Sequence, residues 1–162
     1  VNALIMSGQK TSRFSFEAFL PADKKERKKR LAEISKDTRT IIVYEAPHHL
    51  VNTLKDLLEE LGDRNVSLCR ELTKKHEDLY RGTLSKALEH FTEEEPRGEF
   101  VLVIEGADEE ELKRKSQEAF SEMTVEEHLQ MYLSQGLDKK EAMKKVALDR
   151  GVSKRDIYKE TL

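Results

Sequence analysis

One cysteine, no tryptophan, three prolines and seven scattered glycines make this chain poor in residues that staple or bend a fold. The lone Cys69 excludes an internal disulfide framework and a cysteine-only zinc site. No stretch approaches the ~20 apolar residues of a membrane span, so no membrane partner is expected. The start, Val1 to Arg13, has neither a basic n-region nor a long apolar core, and no signal peptide is expected. The chain lacks G-x-G-x-x-G, G-x-x-x-x-G-K-[ST] and H-E-x-x-H, so the common dinucleotide, P-loop and zincin signatures are excluded. No internal repeat or low-complexity tract occurs.

What is abundant is charge. Charged residues make up 38% of the 162 residues and hydrophobic residues 37%, against a usual charged share of about 25%. The length suits one domain with an appendage, and the composition a helix-rich, cytoplasmic α/β protein. The net charge of −3 hides a gradient. Residues 1–40 carry +5, residues 41–77 carry −2, residues 78–118 carry −6, and residues 119–162 are neutral. The basic block peaks in Lys24, Lys25, Arg27, Lys28, Lys29 and Arg30. It reads as a solvated helix face or as a patch for phosphates of an anionic polymer.

Patterning places the elements. Phe14, Phe16 and Leu20 alternate with polar residues as in a strand that Pro21 ends. Asp23 caps a helix to about Ser35 with Leu31 and Ile34 inward. Thr40–Tyr44 is a continuous β-branched run, as in a buried strand. His48 to Leu61 carries a leucine stripe closed by Gly62. Further strands are expected at Val66–Cys69, Leu79–Thr83 and Phe100–Ile104, with a helix from Leu84 to Phe91. Strands separated by helices imply an α/β sandwich with a mixed, mostly parallel sheet. A charged helix over 107–118 then leads to three short helices capped by Thr124, Asp138 and Ser153. Met143, Val146, Ala147, Val152, Ile157 and Tyr158 are expected to form their small core, and two domains are expected, 1–118 and 119–162.

Two places invite chemistry. Tyr44-Glu45-Ala46-Pro47-His48 lies at the carboxyl end of the buried strand, where ligands bind in open α/β sheets. Arg70-Glu71-Leu72-Thr73-Lys74 follows the next strand. If those strands pair in sequence, Glu45, Arg70, Glu71 and Lys74 share one rim. Arg81-Gly82 follows, with a glycine suited to a positive φ or a close backbone approach. The residues alone fit either a ligand site or a surface ion-pair network. Cys69 reads as a buried inert thiol, and His48 and His49 make no metal site by themselves.

Four segments occur together in order: Phe14–Pro21, Tyr44–His48, Arg70–Lys74 with Glu77 and Arg81-Gly82, and Gly98–Gly106. In them the chain resembles the ribosomal RNA small subunit methyltransferase I family of the tetrapyrrole methylase superfamily. Two positions depart from its pattern: Ala18 stands where glycine is usual, and His49 where arginine is usual. The resemblance implies the C-terminal lobe of that fold plus a helix-turn-helix-like tail. It implies S-adenosylmethionine as cofactor and 2′-O-methylation of a cytidine in small-subunit rRNA, with a homodimer as the assembly. It implies cofactor contacts from Tyr44, Glu45, Ala46, Glu71, Leu72 and Thr73, with Glu45 or Glu71 as candidate general base. RNA contacts are expected from His48, Arg70, Lys74, Arg81, Lys154 and Arg155. The family's N-terminal lobe supplies much of the cofactor site and is not matched, so the chain alone is expected to be inactive. A non-catalytic nucleic-acid-binding module and a tetrapyrrole methyltransferase are the alternatives.

Overall fold

The computed structural model describes residues 1–161. They divide into two compact units, Val1–Ala107 and Asp108 onward.

The first unit begins with a short helix, α1 (Asn2–Ser7). Strand β1 (Phe14–Phe19) follows, then α2 (Lys24–Ile34), β2 (Thr40–Glu45) and α3 (Pro47–Leu61). The unit ends with β3 (Asn65–Arg70), β4 (Asp78–Thr83), α4 (Leu84–Glu93) and β5 (Phe100–Ile104). The local signals explain these boundaries. Asp23 accepts the N–H groups of Lys25 and Glu26 at the start of α2. Pro47 opens α3 at its first turn, where its missing N–H costs nothing. Gly62 closes α3.

The five strands form one sheet in the order β1-β2-β5-β3-β4. The sheet is mixed, as expected, but not mostly parallel. Only β1 and β2 run parallel; β2–β5, β5–β3 and β3–β4 are all antiparallel. The cause is topological: the last strand enters between β2 and β3 from the opposite end. That insertion also corrects the expectation that β2 and β3 are neighbours. They lie parallel to each other with β5 between them.

The helices are not shared equally between the faces. Ile41, Val43, Val66, Leu68, Leu102 and Ile104 pack against Leu31, Leu50, Leu54, Leu57 and Leu84 from α2, α3 and α4. Among the described residues of this unit, the helix on the opposite face is α1, whose Ala3 and Leu4 cover Ile42, Cys69 and Val103. The Ser67 hydroxyl donates to the Ser7 carbonyl and so fastens α1 to the sheet. At the β1 edge this second face is bare. The alternating phenylalanines Phe14, Phe16 and Phe19 lie exposed, and Ser15 is buried instead. Phe16 and Phe19 set their rings edge-on to the half-exposed Tyr44. A register shift between Phe16 and Ala18 coincides with a φ of 53° at Ala18. This is the position where glycine is usual in the resembling family, and a side-chain-bearing residue is strained there.

The second unit holds α5 (Glu109–Ala119), α6 (Val125–Ser134), α7 (Lys139–Arg150) and α8 (Lys154–Glu160). The charged helix α5 packs on α7, so the unit starts at Asp108 and has four helices, where the sequence pattern places a boundary at 118/119 and three. All four helices begin at a side-chain cap: Asp108, Thr124 in a full capping box, Asp138 and Ser153. Val125, Leu129, Ala142, Met143, Val146, Ala147 and Ile157 form its core. Val152 and Tyr158, expected in that core, are instead exposed.

Candidate functional site

The register of the sheet defines a rim. Glu45 pairs with Phe100, and Phe100 pairs with Arg70, which pairs with Asp78. The carboxyl ends of β2 and β3 therefore stand at one level with β5 between them, two strand spacings of ~4.8 Å apart. Glu45, Ala46, Arg70 and the turn that follows Arg70 are thus brought to one edge, though not side by side.

Glu45 is buried. A buried carboxylate needs partners to offset its lost hydration. Its Oε1 accepts the Ala46 N–H at 2.8 Å and its Oε2 accepts the Thr53 hydroxyl at 2.5 Å. The Thr53 oxygen in turn accepts from Arg27 Nη2 at 2.8 Å, and Arg27 Nε is 2.7 Å from Asp56 Oδ2. So Arg27, at the centre of the basic run, joins α2 to α3 and braces Glu45. Its neighbours Lys24, Lys25, Lys28 and Lys29 remain exposed.

The β3–β4 turn is braced differently. The Glu71 N–H donates to the Glu99 carbonyl at 2.9 Å, and the Glu99 N–H donates back to Glu71 Oε1 at 2.7 Å. Gly98 makes room for this clamp: a Cβ there would press on the Glu71 carboxylate. Lys74 Nζ lies 3.1 Å from Glu71 and 3.1 Å from Glu99. The Glu99 N–H, then Lys74, hold the Glu71 carboxyl below the ordinary carboxylate range. Inside the clamp, Glu71 and Thr73 both have positive φ, 48° and 65°. Non-glycine residues occupy that region at a cost and cluster at ligand sites. The Thr73 N–H donates to Glu77 Oε2 at 2.7 Å.

Arg70 completes the rim. Its Nη2 is 3.4 Å from Asp78 Oδ2, while its Nε is buried without a partner among the described residues. A buried guanidinium N–H without an acceptor is costly, and an arriving carboxylate or phosphate would satisfy it.

The other expected site residues are scattered. His48 and His49 are exposed on the first turn of α3 with ring centroids 4.1 Å apart. Arg81 pairs with Ser67, three residues along β3 from the rim, and its Nη2 donates to the Met6 carbonyl of α1. Gly82 takes no positive φ; it leaves room for the Tyr80 ring rather than for backbone. Lys154 and Arg155 belong to the second unit. Cys69 is buried, and burial pushes its thiol pKa up, as for an inert cysteine. Sequence reasoning missed Thr53, Glu99 and Gly98. Gly98 and Glu99 stand in the segment Gly98–Gly106 singled out above, with no role attached to them, and nothing local marks Thr53.

The rim brings three kinds of group together. Tyr44 adds a half-exposed aromatic ring, the turn after Arg70 has two positive-φ residues, and Arg70 has a buried Nε–H without an acceptor among the described residues. No group of three His, Cys, Asp or Glu side chains among the described residues is arranged to hold a metal ion.

Residues 3–88 match the family model described as Tetrapyrrole (Corrin/Porphyrin) Methylases. Curated proteins named ribosomal RNA small subunit methyltransferase I are similar over nearly all of the chain. The one from Bacillus subtilis is 46% identical over 98% of this chain and 54% of its own length. The one from Synechocystis is 41% identical over 100% of this chain and 57% of its own length. The one from Vibrio cholerae is 37% identical over 98% and 54%. The chain thus spans about half the length of these relatives. Among solved structures, the methyltransferase CobJ is similar in fold, with a TM-score of 0.51 and 19% identity over 65% of this chain and 46% of CobJ.

Proposed function

Because the chain belongs to the tetrapyrrole (corrin/porphyrin) methylase family, we propose that it is one α/β lobe of an S-adenosylmethionine-dependent enzyme that methylates a cytidine ribose 2′-hydroxyl in small-subunit rRNA. The observation that carries this reading is the Arg70–Lys74 turn. Two positive-φ residues and an arginine Nε without an acceptor meet there, at the carboxyl end of a central strand. The relatives named as rRNA methyltransferases support RNA as the substrate.

S-adenosylmethionine supplies a methyl group already activated on a sulfonium, so the protein's main task is alignment. Tyr44, Ala46, Leu72 and Thr73 would hold it, through an aromatic face and the backbone of two turns. Arg70, whose side chain is partly exposed, would take an RNA phosphate, with Lys74 and His48 as further phosphate contacts. Glu45 and Glu71 each have both carboxylate oxygens engaged by protein groups. We assign them the positioning of the rim rather than the removal of the hydroxyl proton. Arg81, tied to α1, supports the second face of the sheet. The bare aromatic face of β1 and β2 supports a homodimer; a monomer in sedimentation at micromolar concentration would overturn that part.

The test is a chimera in which this chain replaces the matching stretch of the Bacillus subtilis relative. Labelled S-adenosylmethionine and small ribosomal subunits lacking the modification are then supplied. Label at a cytidine 2′-oxygen is expected. Label at another RNA atom, or none on RNA from a folded chimera, would overturn the proposal.

A further inference from the structure

Charge in the second unit is segregated. Residues 108–127 carry eight acidic and three basic side chains, whereas residues 128–161 carry five and eight. The three basic residues of α5 are neutralised along their own helix: Lys113 by Glu109 and Glu110, Arg114 by Glu118, Lys115 by Glu111. Arg150 is occupied inside, with its Nε on His128 and its Nη2 on the Met123 carbonyl. Seven further cations of the unit form no ion pair among the described residues, and four of them stand at the starts of α7 and α8. Lys139, Lys140, Lys154 and Arg155 are exposed, and none forms an ion pair among the described residues.

These four line one open groove of about 580 Å³, together with Met143 and Tyr158. The spacing explains why. Met143 follows Lys139 by four residues and Tyr158 follows Lys154 by four, so each helix turns a cation and an apolar side chain to the same side. Met143 is nearly buried and forms the floor, while Tyr158 is 54% exposed. No acidic side chain lines the groove. The nearest acids serve the caps: Asp138 accepts the Glu141 N–H at 2.8 Å, and Asp156 accepts the Ser153 hydroxyl at 2.6 Å. Each helix start has one backbone N–H taken by its cap, Glu141 by Asp138 and Asp156 by Ser153, and the groove is set apart by its side chains alone.

An exposed tyrosine in a groove framed by four unpaired cations matches a partner with a flat base and a phosphate on each side. We propose that this groove binds a single-stranded RNA segment, one base stacking on Tyr158 and the flanking phosphates lying against Lys139, Lys140, Lys154 and Arg155. This extends the expectation for Lys154 and Arg155 to a built surface, and it rests on the reading of RNA as the substrate. The groove lies wholly within the helical unit, so its binding is separable from methyl transfer.

The test is fluorescence anisotropy of the whole chain with a labelled single-stranded RNA dodecamer over a range of salt. All the residues changed are exposed, and circular dichroism checks that the helices persist. K139Q/K140Q/K154Q/R155Q is expected to weaken binding at least tenfold and to flatten the salt slope by about three, at ~0.7 per phosphate contact. Tyr158→Ala is expected to weaken binding about tenfold with little change in slope, and Tyr158→Phe to keep it. Wild-type affinity in the quadruple variant, or in Tyr158→Ala, would overturn the proposal. So would displacement of the RNA by polyglutamate at equal charge, which would mark an acidic protein as the partner. The chimera assay reads the methylation proposal separately: loss of RNA methylation there with groove binding intact would sink the enzyme reading and leave this one standing.

Discussion

Glu45 and Arg70 flank the same residue, Phe100, on opposite sides of the central strand. One brings a satisfied negative charge to the rim and the other a positive charge whose buried Nε–H has no acceptor among the described residues. The Glu45 side is internally complete: its carboxylate is closed off by Ala46 and Thr53. We therefore expect Glu45→Gln to keep methyl transfer within about threefold in the chimera, because an amide oxygen can still accept from either donor. Thr53→Val should cost about 1–3 kcal/mol in urea unfolding, since it strips the buried carboxylate and Arg27 of a shared partner. A thousandfold loss of turnover in Glu45→Gln with normal stability would restore Glu45 as the base.

Ala18 sits at a φ of 53°. A glycine relieves the Cβ clash there but adds chain entropy to the unfolded state. The first effect is the larger, so Ala18→Gly should stabilise the lobe by about 0.5–1 kcal/mol. The midpoint of urea unfolding reads this, and a shift to lower urea would contradict it.

Gly106 has the opposite logic. A methyl group there would collide with the carbonyl oxygens of Thr38 and Arg39. The chain after β5 passes against the α2–β2 connection at this point, and the Ala107 N–H donates to the Asp37 carbonyl at 2.7 Å. Backbone cannot yield as a flexible side chain can. Gly106→Ala should therefore destabilise the lobe by ~1–3 kcal/mol, measured in the same unfolding experiment. Unchanged stability would show that the connection gives way freely.

His128 makes the helical unit sensitive to acid. It is fully buried, its Nε2 3.2 Å from Asp149 Oδ2, and its Nδ1 accepts from Arg150 Nε at 3.1 Å. Arginine only donates, so the ring proton sits on Nε2 and the ring is neutral. Burial pushes its pKa below the ordinary 6.5, against the pull of Asp149. The unfolded chain takes up a proton near 6.5 and the folded one resists it, so stability is flat above that pH and falls as pH drops below it. The protection factors of amides in α6–α8, which allow for the slower intrinsic exchange in acid, should fall from pH 7.5 to 5.5, and His128→Gln should remove the fall. Unchanged protection factors in the wild-type chain would refute the sign. Tyr132, whose hydroxyl donates to the same Asp149 oxygen at 2.5 Å and is pushed up to about 12 chiefly by burial, stays protonated throughout.

Local order was legible in the sequence where the signal is local. Asp23, Thr124, Asp138 and Ser153 cap the helices that their positions announce, because a cap is decided within four residues. The β-branched run at Thr40–Tyr44 is a buried strand for the same reason. Strand order was not legible. Nothing in residues 100–104 states that they enter between β2 and β3, and the assumption of sequential pairing gave the wrong neighbours and the wrong share of parallel pairs. The outward turn of Phe14 and Phe16 was hidden likewise: alternation shows that a strand has two faces, not which one is covered. At the rim, Glu45, Arg70 and Glu71 drew notice by charge. Thr53 and Glu99, which hold two of them, lie 8 and 28 residues from their partners, and no spacing rule connects them.

The strand order also sets when the lobe can exist. Without β5 the sheet is two separate ribbons, β1–β2 and β3–β4, each of two strands. Two-stranded ribbons are marginal in water. Every bridge between them runs through Phe100–Ile104, the last strand of the lobe to leave the ribosome. Assembly is therefore back-loaded: the leucines of α3 and α4 wait on a closing strand, and a nascent chain halted before residue 100 holds a half-made core open to aggregation and to chaperones.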